Sequence, residues 1–171
     1  RSVDDLVDWL ARVGEPGPVE EGLLLEERVD FTRELAVLIA RSPSGQAAAW
    51  PVVETVQTDG ICTEVIAPAP DLDPTLASVA TEAALRIAGA LGVTGVLAVE
   101  MFEVRTDAGG GRAAYVVNEL AMRPHNSGHW TIEGSVTSQF EQHLRAVLDY
   151  PLGATTTTAP ATVMANVLGG D

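Results

Sequence analysis

Two largely apolar segments, residues 95–105 and 112–121, carry Glu100 and Glu119 in their interiors and are separated by Thr106-Asp107-Ala108-Gly109-Gly110-Gly111. Strand-forming runs on either side of a glycine-rich turn predict an antiparallel ribbon. Folded about the middle of Gly109-Gly110, that ribbon sets Glu100 opposite Glu119 on one face. Opposed carboxylates on neighbouring strands repel one another, and acids within apolar strands are costly to bury unpaired. A divalent cation removes both difficulties. Magnesium takes one or two protein carboxylates and completes its shell with water and phosphate oxygens, which fits a nucleotide site. The alternative is that both acids face solvent or pair with arginines, and a slip of one residue would put them on opposite faces. In an ideal strand Asn118 points to the face opposite Glu119, where it would serve the surroundings of the metal or the next loop.

The rest of the chain predicts hairpins interleaved with separate helices, an α+β arrangement rather than a doubly wound parallel sheet. Ser2 with Leu6, Trp9, Leu10 and Val13 marks a short opening helix, and a β-rich stretch begins over Gly22 to Glu27. Glu34 to Arg41 and Gln46 to Val53 form a hairpin around Ser42-Pro43-Ser44-Gly45, and Asp59-Gly60 turns the chain into a strand over Ile61 to Ala67. Asp73-Pro74 opens the clearest helix, with Leu76, Val79, Ala80, Ala83, Ile87, Ala90 and Leu91 as its apolar stripe up to Gly92. Thr131 to Ser135 reads as loop. Ser138 and Glu141 cap a last helix whose apolar residues are Phe140, Leu144, Val147 and Leu148. Residues 154–160 read as a linker, followed by a strand over Val163 to Leu168.

Composition narrows the partners. The net charge is −14, all ten basic residues are arginine, and there is no lysine. Nucleic acid and anionic membranes reward clustered cations, so neither is expected as a partner. No apolar run reaches the roughly 20 residues of a spanning helix, which predicts a soluble cytoplasmic protein. The single Cys62, between Ile61 and Thr63, reads as a buried strand thiol. Directly after the ribbon, Arg123-Pro124-His125-Asn126-Ser127-Gly128-His129-Trp130 supplies guanidinium, imidazole and amide groups suited to a carboxylate, bicarbonate or phosphate. The spacing of His125 and His129 also admits zinc, although Gly128 disfavours a helix and no third nitrogen or sulfur ligand stands nearby. A loop held only by its own hydrogen bonds is the plainer alternative.

The segments Gly95 to Phe102 and Asn118-Glu119-Leu120-Ala121-Met122-Arg123-Pro124-His125-Asn126-Ser127-Gly128-His129-Trp130-Thr131, continued by Thr137 to Leu148, resemble the ATP-grasp core of the 5-(carboxyamino)imidazole ribonucleotide synthetases. The resemblance implies an ATP-grasp antiparallel sheet with flanking helices. It also implies ATP-dependent carboxylation of 5-aminoimidazole ribonucleotide with bicarbonate through carboxyphosphate, in purine (IMP) synthesis. By position, Glu100 and Glu119 would hold Mg2+, with Asn118 and Glu119 beside the nucleotide. Glu26, Glu27, Arg28 and Val29 match the hinge against adenine, and Glu34 matches a ribose contact. Gln57 falls where some relatives place a nucleotide-contacting histidine. Arg123, His125, Asn126 and His129 would line the meeting place of bicarbonate and ribonucleotide. A homodimer is implied for the full-length protein.

The chain departs from this pattern at Met122, where proline is usual, and in lacking the family's two phosphate-gripping lysines. It is therefore expected to be a fragment, inactive alone, without the amino-terminal domain and most of the carboxy-terminal one. Residues 1–153 would be the later part of the ATP-grasp domain, and 154–171 a linker and first strand beyond it. Competing readings are another ATP-grasp carboxylase or ligase, or a non-catalytic nucleotide-binding or dimerisation domain.

Overall fold

The computed structural model describes residues 26–106 and 112–167, together with Ala11 and Gly169. The helix expected around Leu6–Val13, the start of the stretch from Gly22, and the residues of the Gly109-Gly110 turn lie outside this set.

Seven strands form one antiparallel sheet: β1 (Arg33–Arg41), β2 (Ala47–Ala49), β3 (Val53–Thr58), β4 (Ile61–Ala67), β5 (Gly95–Thr106), β6 (Arg112–Ala121) and β7 (Thr162–Ala165). Their order is β6-β5-β1-β3-β4-β7, with β2 also paired to β1. The predicted hairpin around Ser42–Gly45 is present, but its second arm breaks at Trp50-Pro51-Val52 into β2 and β3. Between β3 and β4, Asp59 (φ 52°) and Gly60 (φ 79°) both take the left-handed conformation that a two-residue hairpin loop requires.

β1 is central, and Leu35 through Ala40 are all buried. Leu35, Val37 and Ile39 pack on one side with α1 (Pro74–Ala90), whose Ala80, Ala84 and Ala88 let the helix lie close to the sheet. Asp73 caps α1 by accepting from the backbone N–H groups of Thr75 and Leu76. Of the expected stripe, Leu76 and Ala80 are buried, whereas Val79, Ala90 and Leu91 are exposed, because Ala80, Ala84 and Ala88 carry most of the contact with the sheet. Ala36, Leu38 and Ala40 form the other side with Trp50, Val53, Val65, Ala98 and Trp130.

Two elements differ from expectation over residues 126–147. After a 3-10 turn (Asn126–Gly128), Thr131–Gly134 forms a short helix, α2, where a loop was expected. The last helix, α3 (Gln139–Val147), has the predicted Ser138 cap, but its buried residues are Gln139, Gln142 and Ala146. Phe140, Leu144, Val147 and Leu148 face outward. The helix is turned because its two glutamines find backbone partners inside: the Gln142 amide pairs with both the N–H and the C=O of Gly153, at 2.7 Å each. Cys62 is likewise only partly buried.

The segment read as a linker is tied down. Val136 N–H donates to Thr156, Thr158 N–H to Gly134, and Thr155 Oγ1 to Ala49. β7 then joins the sheet beside β4.

Candidate functional site

The side of the sheet carrying Ala36, Leu38 and Ala98 is apolar until it reaches Glu34 on β1 and Glu100 on β5, where polar groups replace aliphatic ones. Two β-bulges flank this boundary. From Thr106↔Arg112 to Met101↔Val117 the β5–β6 ladder runs one residue out of step with the pairing expected from the turn. Asn118 is the extra residue, and beyond it Glu100 pairs directly with Glu119. The expected partnership is therefore present, but a bulge produces it. A bulge re-aims its side chain, and Asn118 lines a cleft beside Phe102 instead of being confined to the opposite face. In the β3–β4 hairpin the register likewise shifts after Val56, so that Gln57 pairs with Cys62.

The result is an acidic cluster. Burial, then the neighbouring charges of Glu119 and Glu34, push the Glu100 carboxyl above the usual carboxylate range, against the guanidinium of Arg123. Burial raises Glu34 as well, opposed by a hydrogen bond from Gln57. Burial, followed by the charges of Glu100 and Glu34, pushes the Cys62 thiol up, which keeps it protonated and a poor nucleophile.

His125 meets this cluster from the loop after β6. Its Nε2 lies 3.2 Å from Glu100 Oε1, while Ser127 N–H donates to its Nδ1 at 3.3 Å. Because Nδ1 accepts, the neutral ring carries its proton on Nε2, on the side of Glu100. Burial and the nearby Arg123 charge hold the His125 pKa below its ordinary value, so this neutral form is the one present near neutrality. The Asn126 side-chain oxygen accepts from Asn166 Nδ2 at 3.0 Å, and the same Asn166 amino group donates to Cys62 C=O at 2.8 Å. His129 stacks on Phe140, with ring centroids 5.8 Å apart. Arg123 is exposed beside the cluster.

Beyond the carboxylates, a cleft of about 640 Å³ is lined by Glu26, Glu27, Arg28, Val29, Phe102 and Asn118, among others. Phe31 stacks on Phe102 along its wall. The predicted nucleotide residues thus divide between the cleft (Glu26, Glu27, Arg28, Val29, Asn118) and the acidic cluster (Glu34, Gln57, Glu119). Among the described residues no group of three or more metal-ligating side chains occurs. Glu100 and Glu119 remain as an opposed pair of hard oxygen donors whose mutual repulsion a divalent cation would relieve, so the residues present fit a magnesium shared with phosphate oxygens.

Sequence reasoning missed Gln139 and Asn166, which hold the loop in place from α3 and from the end of β7. Each is an ordinary polar residue whose partner lies on a different element, and no local pattern marks it. Ser127 bonds within the loop, to His125.

The class of protein to which this sheet, its paired acids and the adjoining cleft belong follows from comparison: a profile of the ATP-grasp domain matches residues 4–140, and the chain belongs to the ATP-grasp family. Among curated proteins it is 67% identical over 147 residues to the N5-carboxyaminoimidazole ribonucleotide synthase of Mycobacterium tuberculosis, covering 86% of this chain and 33% of that protein. It is 61% identical to the Corynebacterium ammoniagenes protein of the same name, covering 87% of this chain and 36% of that one. Among solved structures, the N5-carboxyaminoimidazole ribonucleotide synthetase of Thermus thermophilus superposes with a TM-score of 0.84 at 42% identity, covering all of this chain and 44% of that one. The Aspergillus clavatus N5-carboxyaminoimidazole synthase, solved with ADP and 5-aminoimidazole ribonucleotide, gives 0.72 at 39% identity, over 82% of this chain and 36% of that one. The chain thus spans about a third of the length of the curated relatives it matches. No helix among the described residues is long and apolar enough to cross a membrane.

Proposed function

We propose that this chain supplies the magnesium-nucleotide site and substrate loop of a cytoplasmic enzyme that carboxylates 5-aminoimidazole ribonucleotide with bicarbonate, using ATP, in purine synthesis. The observation that carries this reading is the direct pairing of Glu100 with Glu119, with His125 Nε2 placed 3.2 Å from Glu100 Oε1 by the loop that follows. The full-length enzyme would act as a homodimer, without nucleic acid or membrane as a partner. Residues 1–153 would complete the ATP-grasp domain and 154–171 lead into the part beyond it.

Glu26, Glu27, Arg28, Val29 and Asn118 would receive the base, Glu34 and Gln57 the ribose and its surroundings, and Glu100 and Glu119 would hold Mg2+. The metal, when bound, supplies positive charge beside the transferring phosphate. Phosphoryl transfer needs positioning and charge neutralisation more than covalent chemistry from the protein. Bicarbonate oxygen attacks the γ-phosphorus and ADP leaves, giving carboxyphosphate. The carboxyl carbon then passes to the substrate amine as the carbon–oxygen bond to phosphate breaks and the amine loses a proton. Arg123 and Asn126 would orient the anions. His129 would take that proton, while His125, whose Nδ1 already accepts from Ser127 N–H, would help hold the substrate in the loop.

Calorimetry with Mg-ADP tests the site: the chain should bind, and Glu100→Ala should abolish the binding. Unchanged affinity in Glu100→Ala would refute the metal assignment. In the full protein, phosphate release should require ATP, bicarbonate and 5-aminoimidazole ribonucleotide together.

A further inference from the structure

Helix α3 buries two glutamines on its inner face, Gln139 and Gln142, both fully enclosed. Each uses its side-chain amide in the same way. Gln142 Nε2 donates to Gly153 C=O while its Oε1 accepts from Gly153 N–H. Gln139 Nε2 donates to His125 C=O at 2.7 Å while its Oε1 accepts from His125 N–H at 2.9 Å. A primary amide is a side chain that can satisfy both backbone groups of one residue at once, having a donor and an acceptor side by side.

The surroundings of Gln139 enforce this pairing. Its backbone N–H donates to Thr131 Oγ1 at 2.8 Å, and that hydroxyl donates to Gly128 C=O at 2.6 Å. Gly128 makes room for the amide, since a Cβ there would lie 2.3 Å from Gln139 Oε1 and from Leu38 Cδ2. The clamp holds His125 extended at φ −129° and ψ 156°, the conformation in which Nδ1 accepts from Ser127 N–H and Nε2 reaches Glu100.

We infer that Gln139 is a positioning residue: its amide fixes the backbone of His125 and so directs the imidazole at Glu100, while Gln142 performs the same chemistry on a segment away from the site. The inference rests on the carboxylation reading above, which assigns His125 to the substrate loop. Gln142 serves as an internal control, because it shares the helix, burial and bonding of Gln139.

The test compares Gln139→Met with Gln142→Met. Below the melting temperature of both, Gln139→Met in the full protein should lower kcat by about a hundredfold, the scale of a misplaced reacting group, with the affinity for Mg-ADP retained. Gln142→Met should keep the parental rate. In the 171-residue chain, the nitrogen-15 signals of the His125 ring should move in Gln139→Met and stay in place in Gln142→Met. If Gln139→Met does not fold, Gln139→Glu, which keeps the acceptor for His125 N–H, takes its place in both measurements. Equal rate losses in the two variants, or His125 signals unmoved by the change at 139, would overturn the inference. Parental protein without turnover, but with ring signals that move as expected, would remove the carboxylation reading and leave the clamp standing.

Discussion

Glu100 pairs with Glu119 across the β5–β6 ladder only because Asn118 is looped out between them and Val117. The two carboxylates therefore face each other at the cost of their own repulsion, and burial together with that repulsion holds the Glu100 carboxyl above its usual range.

Relieving that repulsion should stabilise the metal-free chain. Glu119→Gln is expected to raise the stability without divalent cations by about 0.5 kcal/mol, the scale of a directly opposed like-charge pair. In excess Mg-ADP the order should reverse, with the parental chain now the more stable because ligand binding adds to its stability. Urea unfolding with and without Mg-ADP measures both. A variant less stable than the parent under metal-free conditions would contradict the geometry.

The pH dependence follows from the same carboxyls. Burial raises Glu34 and Glu100 above their ordinary values, so the folded state binds protons more tightly than the unfolded chain. Their contribution is fully present below the unfolded carboxylate range and is lost as pH rises through the raised folded values. Subtracting the profile of Glu100→Gln from that of the metal-free parent, by thermal unfolding from acid to neutral pH, should show a contribution that declines with pH. One that grows with pH would reverse the assigned cause.

Gly128→Ala should be poorly tolerated. The added methyl meets the Gln139 amide and Leu38 at 2.3 Å, and overpacking of this kind costs about 2 kcal/mol. Urea denaturation gives the loss. Parental stability would mean that the loop yields freely and is not pinned.

The orientation of α3 gives a test of packing. Leu144 is 61% exposed, whereas Ala146 is fully buried. Leu144→Gln should change stability by no more than about 0.5 kcal/mol, as surface substitutions do, and Ala146→Leu should cost about 2 kcal/mol. The opposite order in chemical denaturation of the chain would show that the apolar stripe faces inward.

Much of this arrangement is legible in the amino-acid order. The strands at 61–67 and around the two glutamates, the Asp73 cap and the Ser138 cap follow from alternation, turn residues and N-cap chemistry, all of which act over a few residues. The run of polar donors from Arg123 to His129 is legible for the same reason, since its residues are neighbours in sequence. What escapes is set by partners distant in sequence. The stripe of α3 reads as core because Leu144 and Val147 are apolar, and only the backbone of His125 and Gly153 tells why two glutamines take the inside. The bulge at Asn118 is equally silent, since Ala113, Ala114, Tyr115, Val116 and Val117 put apolar residues on both alternating faces of that strand. The register that matters is decided at the paired acids themselves, not by counting from the glycine turn.

The bond from Asn166 to Asn126 gives the last strand an influence out of proportion to its length. Asn166 stands 26 positions past the end of the recognised family segment, yet its amide occupies the oxygen of the Asn126 side chain and leaves the hydrogen-bearing nitrogen turned elsewhere. The orientation of that side chain is thus set from outside the stretch that the family profile covers, and a chain trimmed at residue 160 would keep the whole Arg123–His129 run while losing the group that orients one of its members.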